Sequence, residues 1–126
     1  MPSFHSLQED LAEHVQFLGV YIQEAHAQDE WPISSSRANG DRGKVCIEQP
    51  KSTQERCAVA RQFQQDFSFS IPMVVDTVAN EFDAAFAPWP LRFYVFSGGK
   101  VKYIAMPEDG RFDIAKLRDA LLQVVA

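Results

Sequence analysis

A chain of 126 residues, 46% hydrophobic and with ten phenylalanines, has the size and composition of one folded domain and not of a disordered chain. Its formal net charge of −5 offers no basic face to a phosphate backbone, which sets nucleic acid aside as a partner. No apolar run approaches the roughly 20 residues of a membrane span, and "MPSFHSLQEDLAEH" has neither the basic nor the hydrophobic segment of a signal peptide.

In chain order, Ser6 with Glu9 reads as a capping box. Leu7 and Leu11, four apart, then predict a short amphipathic helix ending near His14. "VQFLGVYI" is apolar at nearly every position and rich in β-formers, the pattern of a strand covered on both faces in a parallel sheet. From Gln23 to Lys51 the chain is polar, with "SSSRANGDRG" at its centre, and reads as a long loop of the kind that carries function. Ser52 and Glu55 form a second capping box, opening a helix with Val59, Ala60, Phe63 and Phe67 at helical spacing. "IPMVVD" is a short buried strand, and Val78, Phe82 and Phe86 mark a further helical turn or two before "APWP". "LRFYVFSGGKVKYI" is two β-rich runs joined at Gly98-Gly99, hence an antiparallel hairpin. After "AMPEDGR", Asp113 can cap a last helix with Ile114, Leu117, Leu121 and Val124 on one face.

The order helix, strand, helix, strand, helix, strand, strand, helix predicts an α/β domain. It matches a thioredoxin-like fold, a central mixed sheet flanked by helices, with the first strand missing, because this chain starts already inside a helix. Pro90 precedes the third strand, where such folds usually keep a cis-proline beside the active site. An ordinary trans-proline ending a helix is the competing reading, since cis is only about 5% of X-Pro bonds.

One stretch, "YIQEAHAQDEWPI", places Glu24, His26, Asp29, Glu30 and Trp31 where a strand runs out. Glu24 and His26 are two apart on a strand end, so their side chains leave on the same side. A histidine near neutral pKa suits a proton-transfer step, and a carboxylate beside it can fix its tautomer. The plainer reading is a structural histidine. A metal site from Glu24, His26 and Asp29 lacks recognisable ligand spacing, so no metal is expected. Trp31 and Trp89 can stack on an aromatic ring or fill the core, and core filling suits Trp89 better. Cys46 and Cys57 form neither a CxxC pair nor a four-ligand zinc site. Cys57 falls on a helix's apolar side as a small hydrophobe, while Cys46, in the loop, is a weak redox-thiol candidate.

"YIQEAHAQDEW" resembles the "YIxEAHxxDGW" signature of the iodothyronine deiodinases and their bacterial relatives, with Glu30 in place of the glycine. The resemblance continues through "QPKSTQER", "MVVDTVANEFDAAFAPWPLRFYVFSGGKVKY" and "LRDAL", and only the loop from Ser34 to Lys44 stands apart. It implies a deiodinase-like oxidoreductase that removes iodine from aromatic, iodothyronine-type compounds. The family carries its selenocysteine or cysteine nucleophile in a segment like "FGSCT-U-PPF" at the end of the first strand, and the spacing puts that residue upstream of Met1. The expectation is therefore an N-terminally truncated domain, its start displaced by a UGA codon read as stop, catalytically inactive and poorly stable or self-associating by itself.

By the same resemblance His26 handles the proton and Glu24 supports it, Trp31, Pro90 and Arg92 meet the substrate, and no cofactor is required. The implied partners are a small aromatic substrate and a thiol reductant, with a possible homodimer as in vertebrate relatives. Three family features are absent: Pro50 stands where vertebrate members have a histidine, Leu91 where a glutamate precedes Arg92, and "AMPEDG" where an arginine lies in the loop after the hairpin. Iodothyronine itself is the less secure substrate for that reason. The alternatives are a catalytically inactive thioredoxin-like binding domain and a peroxiredoxin-like thiol redox protein.

Overall fold

The computed structural model describes residues 2–24, 48–89, 91–107 and 111–126. They form α1 (Pro2–Leu11), β1 (Gly19–Tyr21), α2 (Thr53–Asp66), β2 (Met73–Val75), α3 (Glu81–Phe86), β3 (Phe93–Ser97), β4 (Lys100–Ala105) and α4 (Ile114–Val125). The α/β class and the order of elements are those expected. Among the described residues the strands pair as two two-stranded sheets, β1 parallel to β2 and β3 antiparallel to β4. The chain divides into two compact units, Leu18–Pro90 and Met1–Phe17 with Leu91–Ala126.

In the unit Leu18–Pro90, β1 lies beside β2 with Gly19 opposite Met73 and Tyr21 opposite Val75. Both strands are short, β1 half-buried and β2 exposed at its central Val74, so they are less enclosed than the continuous apolar runs imply. Helix α2 starts where expected: Ser52 Oγ accepts from Glu55 N at 3.0 Å, and Glu55 Oε2 accepts from Lys51 N at 2.7 Å. Its Phe63 ring meets Tyr21, Phe67 and Phe69 at centroid distances of 5.8, 4.9 and 5.4 Å. Ala60 and Ile71 are buried in this unit. Helix α3 is a short piece whose first residue follows Asn80, a left-handed residue with no capping side-chain bond. Asp76, buried just past β2, supplies the missing acceptors: its two oxygens take Phe82 N at 2.9 Å and Asp83 N at 3.1 Å.

In the other unit, Leu7, Leu11, Val95, Leu117 and Leu121 form one buried cluster, with Phe4, Phe17, Phe93 and Tyr103 packed against it. Helix α1 begins at Pro2, so Ser6 lies inside it and caps nothing, contrary to the capping-box reading. Proline is pre-set for a first helical turn and gives up an N–H that the turn would leave unbonded. The helix ends at Leu11, whose carbonyl accepts from His14 N and Val15 N at 3.0 and 2.9 Å. The hairpin turns at Gly98 and Gly99, with φ of 59° and 74°, left-handed at both positions as the tight two-residue turn requires. A bulge between Val95 and Phe96 skews the ladder. The hairpin's outer face leaves Phe96, Val101 and Ile104 each at least 44% exposed. Asp113 Oδ1 caps α4 through Ala115 N (2.9 Å) and Lys116 N (3.3 Å).

Candidate active site

The parallel pair β1–β2 ends at Tyr21 and Val75, and Asp76 N donates to Tyr21 O at 2.8 Å to close it. The carboxyl ends of parallel strands are where open α/β sheets place their ligands. Three residues beyond β1, Glu24 is fixed from two directions. The Tyr21 hydroxyl donates to Glu24 Oε1 at 2.5 Å. The Gln49 side-chain amide both accepts from Glu24 N at 2.9 Å and donates to Glu24 O at 3.0 Å, as a neighbouring strand's backbone would. Beside it, Gln23 Nε2 donates to Asp83 Oδ2 at 2.5 Å, joining the strand end to α3.

Arg56, on the inner face of α2, is 1% exposed. Its Nη1 donates to the carbonyls of Asp76 (3.2 Å) and Thr77 (2.7 Å), which ties α2 to the end of β2. Burial pushes the Glu24 carboxyl above its ordinary range, and the Tyr21 hydrogen bond and the Arg56 charge pull it part of the way back. Tyr21 is pushed well above the usual phenol value, first by burial and then by its hydrogen bond to Glu24 and that carboxylate's charge, with Arg56 opposing. The arrangement is a partly desolvated carboxylate, held by a phenol and standing in the field of a buried cation. Chemically that is equipment for holding and passing protons.

Of the residues singled out from sequence, Glu24 lies in this arrangement. His26, Asp29, Glu30, Trp31, Cys46 and Pro90 lie outside the described residues. Arg92 belongs to the other unit, half-buried, with Nη1 donating to Leu91 O at 2.7 Å. Trp89 is 37% exposed, which corrects its reading as a core filler: past α3 it is Pro88 that is buried, and the indole beside it is left partly in solvent. Pro50 is buried, and Cys57 is a half-buried free thiol on α2. Among the described residues no group of three His, Cys, Asp or Glu is placed to hold a metal ion. A cavity of about 220 Å³ lined by Tyr103, Ile104, Met106, Asp113 and Lys116 lies in the other unit.

Sequence reasoning missed Tyr21, Gln49 and Arg56. Tyr21 is three residues before Glu24, and Gln49 and Arg56 are the first and last residues of "QPKSTQER", so the stretches stand out in the sequence while their interaction does not. Nothing in residue spacing says that a glutamine 25 positions away pairs with Glu24's backbone.

A family model described as iodothyronine deiodinase matches residues 1–124. The type I iodothyronine deiodinase of Xenopus laevis is 34% identical over 100 residues, 79% of this chain and 36% of its own length. The thyroxine 5-deiodinase of Gallus gallus is 33% identical over 121 residues, covering 96% of this chain and 44% of its own. The human thyroxine 5-deiodinase is 30% identical over 118 residues, 94% of this chain and 36% of its own. The chain therefore spans less than half the length of these relatives.

Proposed function

Because the chain belongs to the iodothyronine deiodinase family, we propose that it is part of a deiodinase-like oxidoreductase with a thioredoxin-like fold, acting on iodinated aromatic compounds of the iodothyronine type. The reaction needs a soft nucleophile, supplied by a selenocysteine or cysteine outside residues 1–126. The selenolate or thiolate takes iodine from the aryl C–I bond, and the ring carbon takes a proton. Two thiols of a reductant then return the nucleophile to its reduced form, leaving as a disulfide while iodide is released.

The observation that carries this reading is the fixing of Glu24, inside the family's signature stretch, by Tyr21 and Gln49 at the end of a parallel strand. A carboxylate so fixed can orient a histidine, and His26, two positions on, is the proton donor in this proposal. Trp31, Pro90 and Arg92 meet the aromatic substrate, and Cys46 is a weak redox-thiol candidate to which this reaction assigns no step.

The test is iodide release from an iodothyronine in the presence of a dithiol, comparing the 126-residue chain with a longer protein that includes a selenocysteine or cysteine segment ahead of it. Release from the longer protein alone is expected, with His26→Ala lowering the rate by about 10²–10⁴. No release from either overturns the assignment. Consumption of peroxide in its place selects a peroxiredoxin-like thiol protein, and neither activity selects a binding domain.

A further inference from the structure

Arg56 is the anomaly of the described residues. It is a cation 1% exposed, yet among the described residues no carboxylate forms an ion pair with it. One of its nitrogens holds two backbone carbonyls, and its Nε is buried with no hydrogen-bond partner. A buried charge compensated only by carbonyl dipoles is costly, and such groups persist where a nearby opposite charge accounts for them. Asp76, the closest acid in the bonding scheme, presents its carbonyl to Arg56, while both its carboxylate oxygens accept from Phe82 N and Asp83 N. Asp83 in turn takes Gln23 Nε2. Among the described residues Glu24 is the remaining acid of this strand end, and its side chain accepts from the neutral Tyr21 hydroxyl.

We propose that Arg56 is a positioning residue that acts through Glu24: its buried guanidinium, tied to the end of β2, favours the charged form of the Glu24 carboxyl against the effect of its burial, so that Glu24 can accept a hydrogen bond from a proton-bearing partner. The inference rests on the family reading for its catalytic meaning, but the coupling itself does not. Among the described residues the titratable and charged groups of this strand end are Tyr21 on β1, Arg56 on α2, Asp76 past β2 and Asp83 on α3, and of these Arg56 is the cation. The electrostatics agree in sign, since Arg56 lowers the proton affinity of both Glu24 and Tyr21 against the effect of burial.

The test uses the full 126-residue chain labelled with ¹³C at glutamate side chains, the Glu24 signal being assigned by its loss in Glu24→Gln. Arg56→Gln keeps an amide donor for the two carbonyls and removes the charge, whereas Arg56→Lys keeps the charge and loses the planar fork. Glu24 is expected to titrate about one pH unit or more higher in Arg56→Gln and close to wild type in Arg56→Lys. Should Arg56→Gln not fold, Arg56→Lys decides alone, and a rise there as large as one unit overturns the proposal. An unmoved Glu24 titration in folded Arg56→Gln also overturns it. In a longer protein that includes the nucleophile, the acid limb of the iodide-release profile is expected to move up with the Glu24 titration in Arg56→Gln, a readout that mere loss of stability does not shift. If the wild-type protein releases no iodide, the family reading fails, and the Arg56–Glu24 coupling is judged on the titration alone.

Discussion

Glu24 sits where its own charge is disfavoured, and the direction of that shift fixes how stability responds to pH. A carboxyl whose folded-state pKa lies above its unfolded value of 4.5 binds a proton more tightly in the folded chain. Its contribution is therefore neutral below the unfolded pKa and turns destabilising as pH rises through the folded one. Glu24→Gln removes the charge, so its stability advantage over wild type is expected to grow as pH rises from about 4.5 through the raised folded-state pKa, measured by paired thermal melts. A difference that shrinks over that window would contradict the burial of this carboxylate. The phenol of Tyr21 makes a second test. Absorbance at 295 nm is expected to show one tyrosine still protonated well past the ordinary value of 10, ionising only as the chain unfolds. Glu24 was legible in the sequence because an acid two positions from a histidine at a strand end is unusual. Arg56 was not, because an arginine inside "STQERCAVAR" reads as an exposed helical position. Only the packing of α2 on the strand pair turns it inward.

Among the elements, the two Ser-x-x-Glu patterns make a controlled comparison. Ser52 caps α2 through a 3.0 Å bond, while Ser6 lies in the interior of α1. Ser52→Ala is expected to cost about 1 kcal/mol in chemical denaturation, and Ser6→Ala to stay within about 0.5 kcal/mol. The pattern alone cannot separate the two, since a capping box is defined by where the backbone leaves helical geometry and Pro2 starts α1 a turn earlier. The hairpin was read correctly for a firmer reason. Two consecutive glycines between β-rich runs are demanded by a turn with positive φ at both positions. A Cβ at Gly99 meets no atom within 4 Å, so Gly99→Ala isolates the backbone term, expected at about 1–2 kcal/mol.

At the level of the whole chain, composition and element order were enough to give the α/β class, but not how the strands share hydrogen bonds. Strand pairing is set by partners distant in sequence, such as Gly19 with Met73, and period alone does not encode them. The helix–hairpin–helix cluster was more accessible, because Leu7, Leu117 and Leu121 announce themselves by helical spacing. Leu7 is fully buried, and Leu7→Ala is expected to cost about 2–5 kcal/mol. Against a total stability of roughly 5–15 kcal/mol for a domain, that is enough to produce a large drop in melting temperature. The Gln49 clamp has a different kind of consequence. By gripping both the N–H and the C=O of Glu24, it brings two points 25 positions apart in the chain to one place. Once the ends are pinned, the free energy of adding residues between them grows only logarithmically, about 0.6 kcal/mol for each doubling. Length can therefore drift in that interval during evolution, by insertion or deletion, while the carboxylate at its root stays in register.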